Sequence, residues 1–379
     1  KFKWVNVSKL IQTNTMHRLP FLLLDTDTCK RNIDRMASKA ILHKLVLRPH
    51  FKTHQSAQIA EWFRNFGVNS CTVSSVKMAE YFANAGWTDI TISFPVNPFE
   101  VDAINSLAKK VSLNVIFSSA SNLLKSINQL KENIGVFIEI DVGHNRSGLS
   151  PDNTRGIALM VNQIEGNSSL KFKGFLSHAG HTYKATSTDE VLKIHRDSLS
   201  KLTKLKAFWK ESHPDIVVSY GDTPSCSIAD EFWGVDEIRP GNFVFYDVMQ
   251  SQIGSCTISD IAVAMICPVV DINQSRREAV IHCGAVHLSK DNIKLPNEET
   301  SFGVVCGFDG NAWGEPLEGL YVKSLSQEHG LISFPNEFPF KVGDLVAILP
   351  IHSCLTVDLM GEIKLNDGST IQTMRQHTF

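Results

Sequence analysis

Eight short apolar runs recur in the part of the chain before residue 250, and stretches with helical patterning separate most of them. The runs are Leu45-Val-Leu-Arg-Pro-His50, Ser70-Cys-Thr-Val-Ser-Ser75, Asp89-Ile-Thr-Ile-Ser-Phe94, Asn114-Val-Ile-Phe-Ser118, Gly135-Val-Phe-Ile-Glu-Ile-Asp141, Phe172-Lys-Gly-Phe-Leu-Ser177, Asp215-Ile-Val-Val-Ser-Tyr220 and Glu237-Ile-Arg-Pro-Gly241. Helical intervals are expected over 56–66, 76–85, 98–108, 121–130, 153–164 and 189–210. Strands that alternate with helices pair in parallel, and eight of them predict an α/β chain with a (β/α)8 barrel of TIM type. A doubly wound open sheet shares this alternation, and strand count does not separate the two. The placement of unusual residues favours the barrel. Lys52, Ser75, Arg146, His178, Gly221 and Asn242 all follow or close strand ends, the face where barrels build their sites.

After residue 250 the texture changes. Runs at 257–272, 278–282, 331–334 and 344–350 are rich in valine and isoleucine, lack helical intervals and are broken by turn signals such as Val342-Gly-Asp344. This predicts a mostly-β second domain. The expected division is a barrel over 20–250 and a β domain built from 1–19 and 251–379, with Phe21-Leu-Leu-Leu-Asp25 an extra strand that fits either. The net charge of −2 gives no basic footprint for nucleic acid or a membrane surface. No apolar run is long enough to span a bilayer. The chain opens on lysine, so its natural start is expected to lie upstream, and Lys1 to Lys9 lack the apolar core of a signal peptide. The eight cysteines show no CxxC pair, so reduced thiols in a cytoplasm are expected.

The segment Leu47-Arg-Pro-His-Phe-Lys-Thr-His54 carries the first chemistry. If it stays extended, Arg48, His50, Lys52 and His54 share one face. Four such groups at a barrel mouth suit an anion, and neighbouring cations would lower the lysine pKa, as a Schiff-base lysine requires. A solvated basic edge strand is the plain alternative. The loops Ser219-Tyr-Gly-Asp-Thr-Pro-Ser225 and Arg239-Pro-Gly-Asn-Phe-Val-Phe-Tyr246 follow strands seven and eight, where barrels often bind phosphate. Either is also an ordinary turn. Together with Lys52 they point to a phosphorylated cofactor attached through the lysine. Arg146 sits in a glycine-flanked loop and can bond an oxyanion, or cap a helix. Ser177-His-Ala-Gly-His-Thr-Tyr183 offers His178, His181 and Tyr183 for stacking and proton relay, or caps the barrel rim.

In the β domain, alternation places His352 and Cys354 of Pro350-Ile-His-Ser-Cys-Leu355 on one face. Imidazole and thiolate are preferred zinc ligands. Asp358 and the segment His282-Cys-Gly-Ala-Val-His287 offer further ligands, though His282, Cys283 and His287 also read as structural.

These motifs resemble the D-serine dehydratases and D-threonine aldolases, pyridoxal-phosphate enzymes of fold type III with an alanine-racemase-like barrel. The resemblance rests on Arg48-Pro-His-Phe-Lys-Thr-His54, Asp141-Val-Gly-His-Asn-Arg-Ser-Gly148, Ser177 to Tyr183, Gly221-Asp-Thr-Pro-Ser225, Glu237 to Asp247, Cys283-Gly-Ala-Val-His-Leu-Ser-Lys-Asp291 and Pro350-Ile-His-Ser-Cys354. It spans nearly the whole chain, in order. It implies a homodimer, Lys52 as the Schiff-base lysine, Arg146 at the cofactor ring oxygen and Tyr183 at the ring. It also implies that Gly221, Asp222, Thr223, Gly241 and Asn242 hold the phosphate and that His352 and Cys354 bind the metal. The His-x-Cys form resembles the zinc-dependent D-serine dehydratase branch; manganese or magnesium would accompany the aldolase reading. His282 and His287 depart from the family pattern, which expects an acidic and a small apolar residue there.

The implied reaction is dehydration of D-serine to pyruvate and ammonia. Cleavage of D-threonine or 3-hydroxy-D-aspartate to glycine and an aldehyde uses the same parts. His54, His178 and His181 are the candidate proton carriers. A racemase, which has no use for a metal pair, and a non-catalytic cofactor-binding protein are the rival readings.

Overall fold

The computed structural model describes residues 19–375. Residues 1–18, assigned to the second domain from the sequence, lie outside the described residues. The first strand, β1 (Phe21–Leu24), is followed by a helix, Thr26–Leu42, that starts where the Asp25 carboxylate accepts from the N–H groups of Asp27 and Thr28. Its buried face repeats at helical spacing through Cys29, Ile33, Met36, Ala37 and Ala40.

Eight parallel strands then alternate with helices: β2 (Val46–Leu47), β3 (Cys71–Val73), β4 (Asp89–Pro95), β5 (Ser112–Phe117), β6 (Ile134–Glu139), β7 (Leu170–Ser177), β8 (Val217–Tyr220) and β9 (Glu237–Ile238). They pair in the order β2-β9-β8-β7-β6-β5-β4-β3. A bridge between His50 and Thr72, with Phe51 N–H donating to Thr72 O at 2.9 Å, joins the two outer strands and closes the barrel. The eight runs read from the sequence are these eight strands, in the same order. Ser75, Ser119 and Asp222 each turn strand into helix by accepting a backbone N–H three residues on. The short caps keep the strand-to-helix loops clustered at the C-terminal mouth.

The second domain is a nine-stranded sheet containing β10 (Val263–Asn273), β11 (Glu278–His282), β14 (Gly303–Phe308), β15 (Trp313–Leu325), β16 (His329–Ser333), β17 (Leu345–Pro350), β18 (Glu362–Leu365) and β19 (Thr370–Gln372); β12 (Ile293–Lys294) and β13 (Thr300–Ser301) form a separate ribbon. The ninth member is β1, which pairs antiparallel with β10 and parallel with β18. The strand that fitted either domain therefore ties the start of the barrel to the second sheet. Helical intervals, not expected after residue 250, occur at Ala285–Leu288 and Ser353–Met360.

Candidate active site

A cavity of about 540 Å³ opens at the barrel mouth, between the strand ends and the helix Ser353–Met360. Of the residues singled out above, Lys52, Arg146, His178, Tyr183, Gly221, Asp222, Gly241, Asn242, His352 and Cys354 line it. Among those expected to act in catalysis or hold the cofactor, Thr223, His181 and His54 do not. Thr223 stands behind the wall, fully buried, with its hydroxyl oxygen unpartnered. His181 lies outside the cavity, stacked against His144.

His54 corrects the extended reading. Strand β2 ends at Leu47, and Phe51–His54 form turns. The shared face therefore breaks up. Arg48 stays buried, clamped to Asp89 at 2.8 Å and Glu237 at 3.0 Å, both at the starts of their strands and so far from the mouth. His54 turns into the core against Phe51, Phe63 and Phe82. Only His50 and Lys52 reach the cavity.

The histidines of the barrel wall are neutral. His178 Nδ1 lies 2.8 Å from the Gly221 carbonyl, which can only accept, so Nδ1 carries the proton and Nε2 keeps its lone pair. Burial, with Lys52, Arg146 and Arg239 nearby, pushes its pKa down to about 3. His50 Nδ1 accepts from Lys52 N–H at 3.3 Å, so its Nε2–H donates to Ser93 Oγ at 3.1 Å. Burial and the same cations hold its pKa well below the usual value.

A cradle fits a phosphate. Gly221 has φ +152°, and a Cβ there would lie 2.7 Å from Arg239 N, so only glycine lets the chain pass. The next residues are Asp222, held by Ser225 N–H at 2.7 Å and Thr182 Oγ1 at 2.8 Å, and Thr223 with its orphaned hydroxyl. An unsatisfied buried hydroxyl directly after the cavity-lining Gly221 and Asp222 is what an absent acceptor group would satisfy. Tyr183 OH accepts from Thr223 N–H at 3.2 Å. Lys52, the cradle and Tyr183 therefore suit a phosphorylated aldehyde cofactor.

The opposite wall comes from the second domain. The strand alternation used for His352 and Cys354 does not hold: β17 ends at Pro350, and His352 is the residue before the helix Ser353–Met360. The strand-to-helix corner brings the two side chains together. His352 Nδ1 bonds Asp291 Oδ2 at 2.6 Å, which orients the ring as carboxylates orient metal-ligating histidines. Burial opposes its proton, but Asp291 and Cys354 outweigh that and push the pKa up to about 11. Burial likewise raises the Cys354 thiol, yet its bond with His352 brings the net pKa below the usual value. An imidazole and a thiol that favours its anion fit a divalent metal. Asn242 Nδ2 spans both walls, donating to Asp247 at 2.6 Å and Ser353 Oγ at 3.1 Å.

Sequence reading missed several members. Asp291 stood in a quoted motif without a role, and Ser93, Glu139 and Arg239 line the cavity unnamed as site residues. Glu139 is buried and accepts from Ser147 Oγ at 3.0 Å, and Arg146 Nη2 lies 4.0 Å away. Asp358 does not join the pair: it bonds Gln55 Nε2 at 3.0 Å. His282 and His287 gather with Glu328 instead. Among the described residues no helix is long and apolar enough to cross a membrane.

Comparison with known proteins matches the order of the two domains. The alanine racemase N-terminal domain matches residues 24–248, and the putative serine dehydratase domain matches 262–365. The chain is 30% identical to the D-serine dehydratase of Dictyostelium discoideum, over 94% of this chain and 95% of that one. The solved D-threo-3-hydroxyaspartate dehydratase from Delftia sp. HT23 superimposes with TM-score 0.87 at 26% identity, covering 96% of this chain and 98% of that one. A cysteine-to-alanine variant of that enzyme has been solved in a metal-free form. The D-threonine aldolase of Arthrobacter sp. is 26% identical over 60% of this chain and 61% of its own length. With both family models matched in order along it and a relative at 30% identity over nearly its whole length, the chain belongs to the family of D-serine dehydratases and D-threonine aldolases, fold-type III pyridoxal-phosphate-dependent lyases.

Proposed function

We propose that the chain is a D-serine dehydratase, dependent on pyridoxal phosphate and a divalent metal, zinc by its donor set. The observation that carries the reading is the pairing of Lys52 with His352 and Cys354 across one cavity. Pyridoxal phosphate, when bound, supplies an electron sink for charge developing at Cα, and a metal on His352 and Cys354 supplies Lewis acidity toward the β-hydroxyl.

The chain's own groups do the rest. Lys52 Nζ takes the Cα proton of the D-amino acid. Arg146, exposed at the cavity rim, meets an anionic oxygen of cofactor or substrate. Asp291 keeps His352 turned to present Nε2. Cys354 presents sulfur, with Thr53 Oγ1 at 3.3 Å steadying it. His178 lines the cavity with its Nε2 unprotonated and is the proton carrier this favours; His54 and His181 do not line it. The racemase reading leaves the metal-type pair without a task.

All eight cysteines are free thiols, which supports a reducing compartment such as the cytoplasm. A homodimer is the expected assembly, and residue 250 the expected division between domains. Product analysis of the cofactor- and zinc-loaded protein tests the reading. D-serine should give pyruvate and D-threonine 2-oxobutanoate. Glycine and acetaldehyde from D-threonine, with D-serine intact, would replace it with the aldolase.

A further inference from the structure

His282, His287 and Glu328 meet on the second domain outside the cavity. His282 ends β11, the chain turns at Cys283 and Gly284, and the helix Ala285–Leu288 carries His287 back past it. Glu328 sits in the turn between β15 and β16, placed there because His282 pairs in register with His329. Glu328 Oε2 lies 3.7 Å from His282 Nε2 and 3.9 Å from His287 Nε2. All three donor atoms lie within 4.8 Å of one another, and the imidazole planes stand at 87°.

These distances are too long for hydrogen bonds, which would draw a carboxylate to about 2.7–2.9 Å from an imidazolium. They leave a gap instead. Bonds of about 2.0–2.2 Å to a tetrahedral ion place its ligands roughly 3.4 Å apart, so the pairs to Glu328 need close by only a few tenths of an ångström. Glu328 is half exposed and free to make that move.

We infer that His282, His287 and Glu328 form a second divalent-cation site, taking an ion of the zinc type with the fourth position left to water. It is distinct from the His352–Cys354 pair. Ligation through His287 Nε2 moves the ring proton to Nδ1 and gives up the bond from Gly284 N–H, now 3.1 Å. The ion is therefore exchangeable rather than locked. Its structural effect falls on the segment after His287. That segment runs through Ser289, with φ +68°, to Asp291, and Asp291 holds His352. An ion here braces the piece of chain that orients the cavity histidine.

The test counts ions on the full chain loaded with pyridoxal phosphate, using Co2+ as a visible probe in equilibrium dialysis. The variant His352→Ala with Cys354→Ala removes the cavity pair, so the result does not depend on the proposed activity. It should keep one Co2+ per chain and show ligand-field bands without a thiolate charge-transfer band. Adding His282→Gln and His287→Gln should abolish that binding, with circular dichroism checking the fold. Should the combined variant misfold, Glu328→Gln, at an exposed turn, should weaken Co2+ binding at least tenfold. No Co2+ bound to the cavity-pair variant, or undiminished binding after the histidine or Glu328 changes, would overturn the site.

Discussion

On the barrel wall His178 bonds a backbone carbonyl, and burial with the Lys52, Arg146 and Arg239 cations nearby pushes its pKa to about 3; across the cavity His352 faces a carboxylate and a thiol and is pushed to about 11. The residue type is the same and the desolvation acts in the same direction on both. The difference lies in the partner each fold supplies. A barrel mouth offers carbonyl groups of strand ends, which accept one hydrogen bond and add no charge. The second domain offers Asp291 and Cys354, which together outweigh burial. One wall therefore holds a neutral acceptor beside Lys52, and the other holds donors suited to a cation.

The largest effect that tests this division is at Lys52. Lys52→Ala should remove the visible absorbance of lysine-bound cofactor and lower kcat by at least about 10²–10⁴-fold; a persisting band would place the attachment elsewhere. Next comes the partner that distinguishes the walls. Asp291→Asn should cost about 10–100-fold in metal affinity, read by metal dissociation, with the cofactor absorbance unchanged. Equal metal affinity would make Asp291 an ordinary surface carboxylate.

A smaller effect sharpens the barrel side. His54 is buried among phenylalanines, its Nε2 has no partner, and its pKa is pushed to about 3. The unfolded chain binds a proton there below about pH 6.5 and the folded chain does not, so stability falls as pH drops from 6.5 toward 3. At pH 5 this amounts to roughly 2 kcal/mol. Urea unfolding of His54→Phe should shrink the stability difference between pH 7 and pH 5 by about that amount, and an unchanged difference would mean the imidazole finds a proton acceptor in the core. The smallest effect belongs to His181. His181→Ala should change kcat/KM by about twofold or less, as expected for a residue outside the cavity; a large loss would extend the site to the His144 stack.

The barrel was legible because parallel strands buried on both faces must read as short apolar runs, as Ile134–Glu139 does. That Lys52, Gly221 and Cys354 meet at one cavity was legible because their neighbours form motifs. What period-two reasoning could not supply was where strands stop. Val46–Leu47 is a two-residue strand, so His54 swings into the core although its spacing from Lys52 suits a shared face. At the other wall His352 and Cys354 do come together, but a helix start rather than the alternation of a strand brings them there. Asp291 was invisible as a partner because it approaches His352 from 61 residues away, and only the packing of the segment after Ala285–Leu288 sets that contact.

The most direct test of the account is pyruvate formation from D-serine before and after chelation, with the cofactor absorbance followed throughout. Pyruvate formation should be lost on chelation and restored by zinc while the absorbance stays unchanged. Pyruvate formation that continues at the same rate after the metal is removed would contradict it.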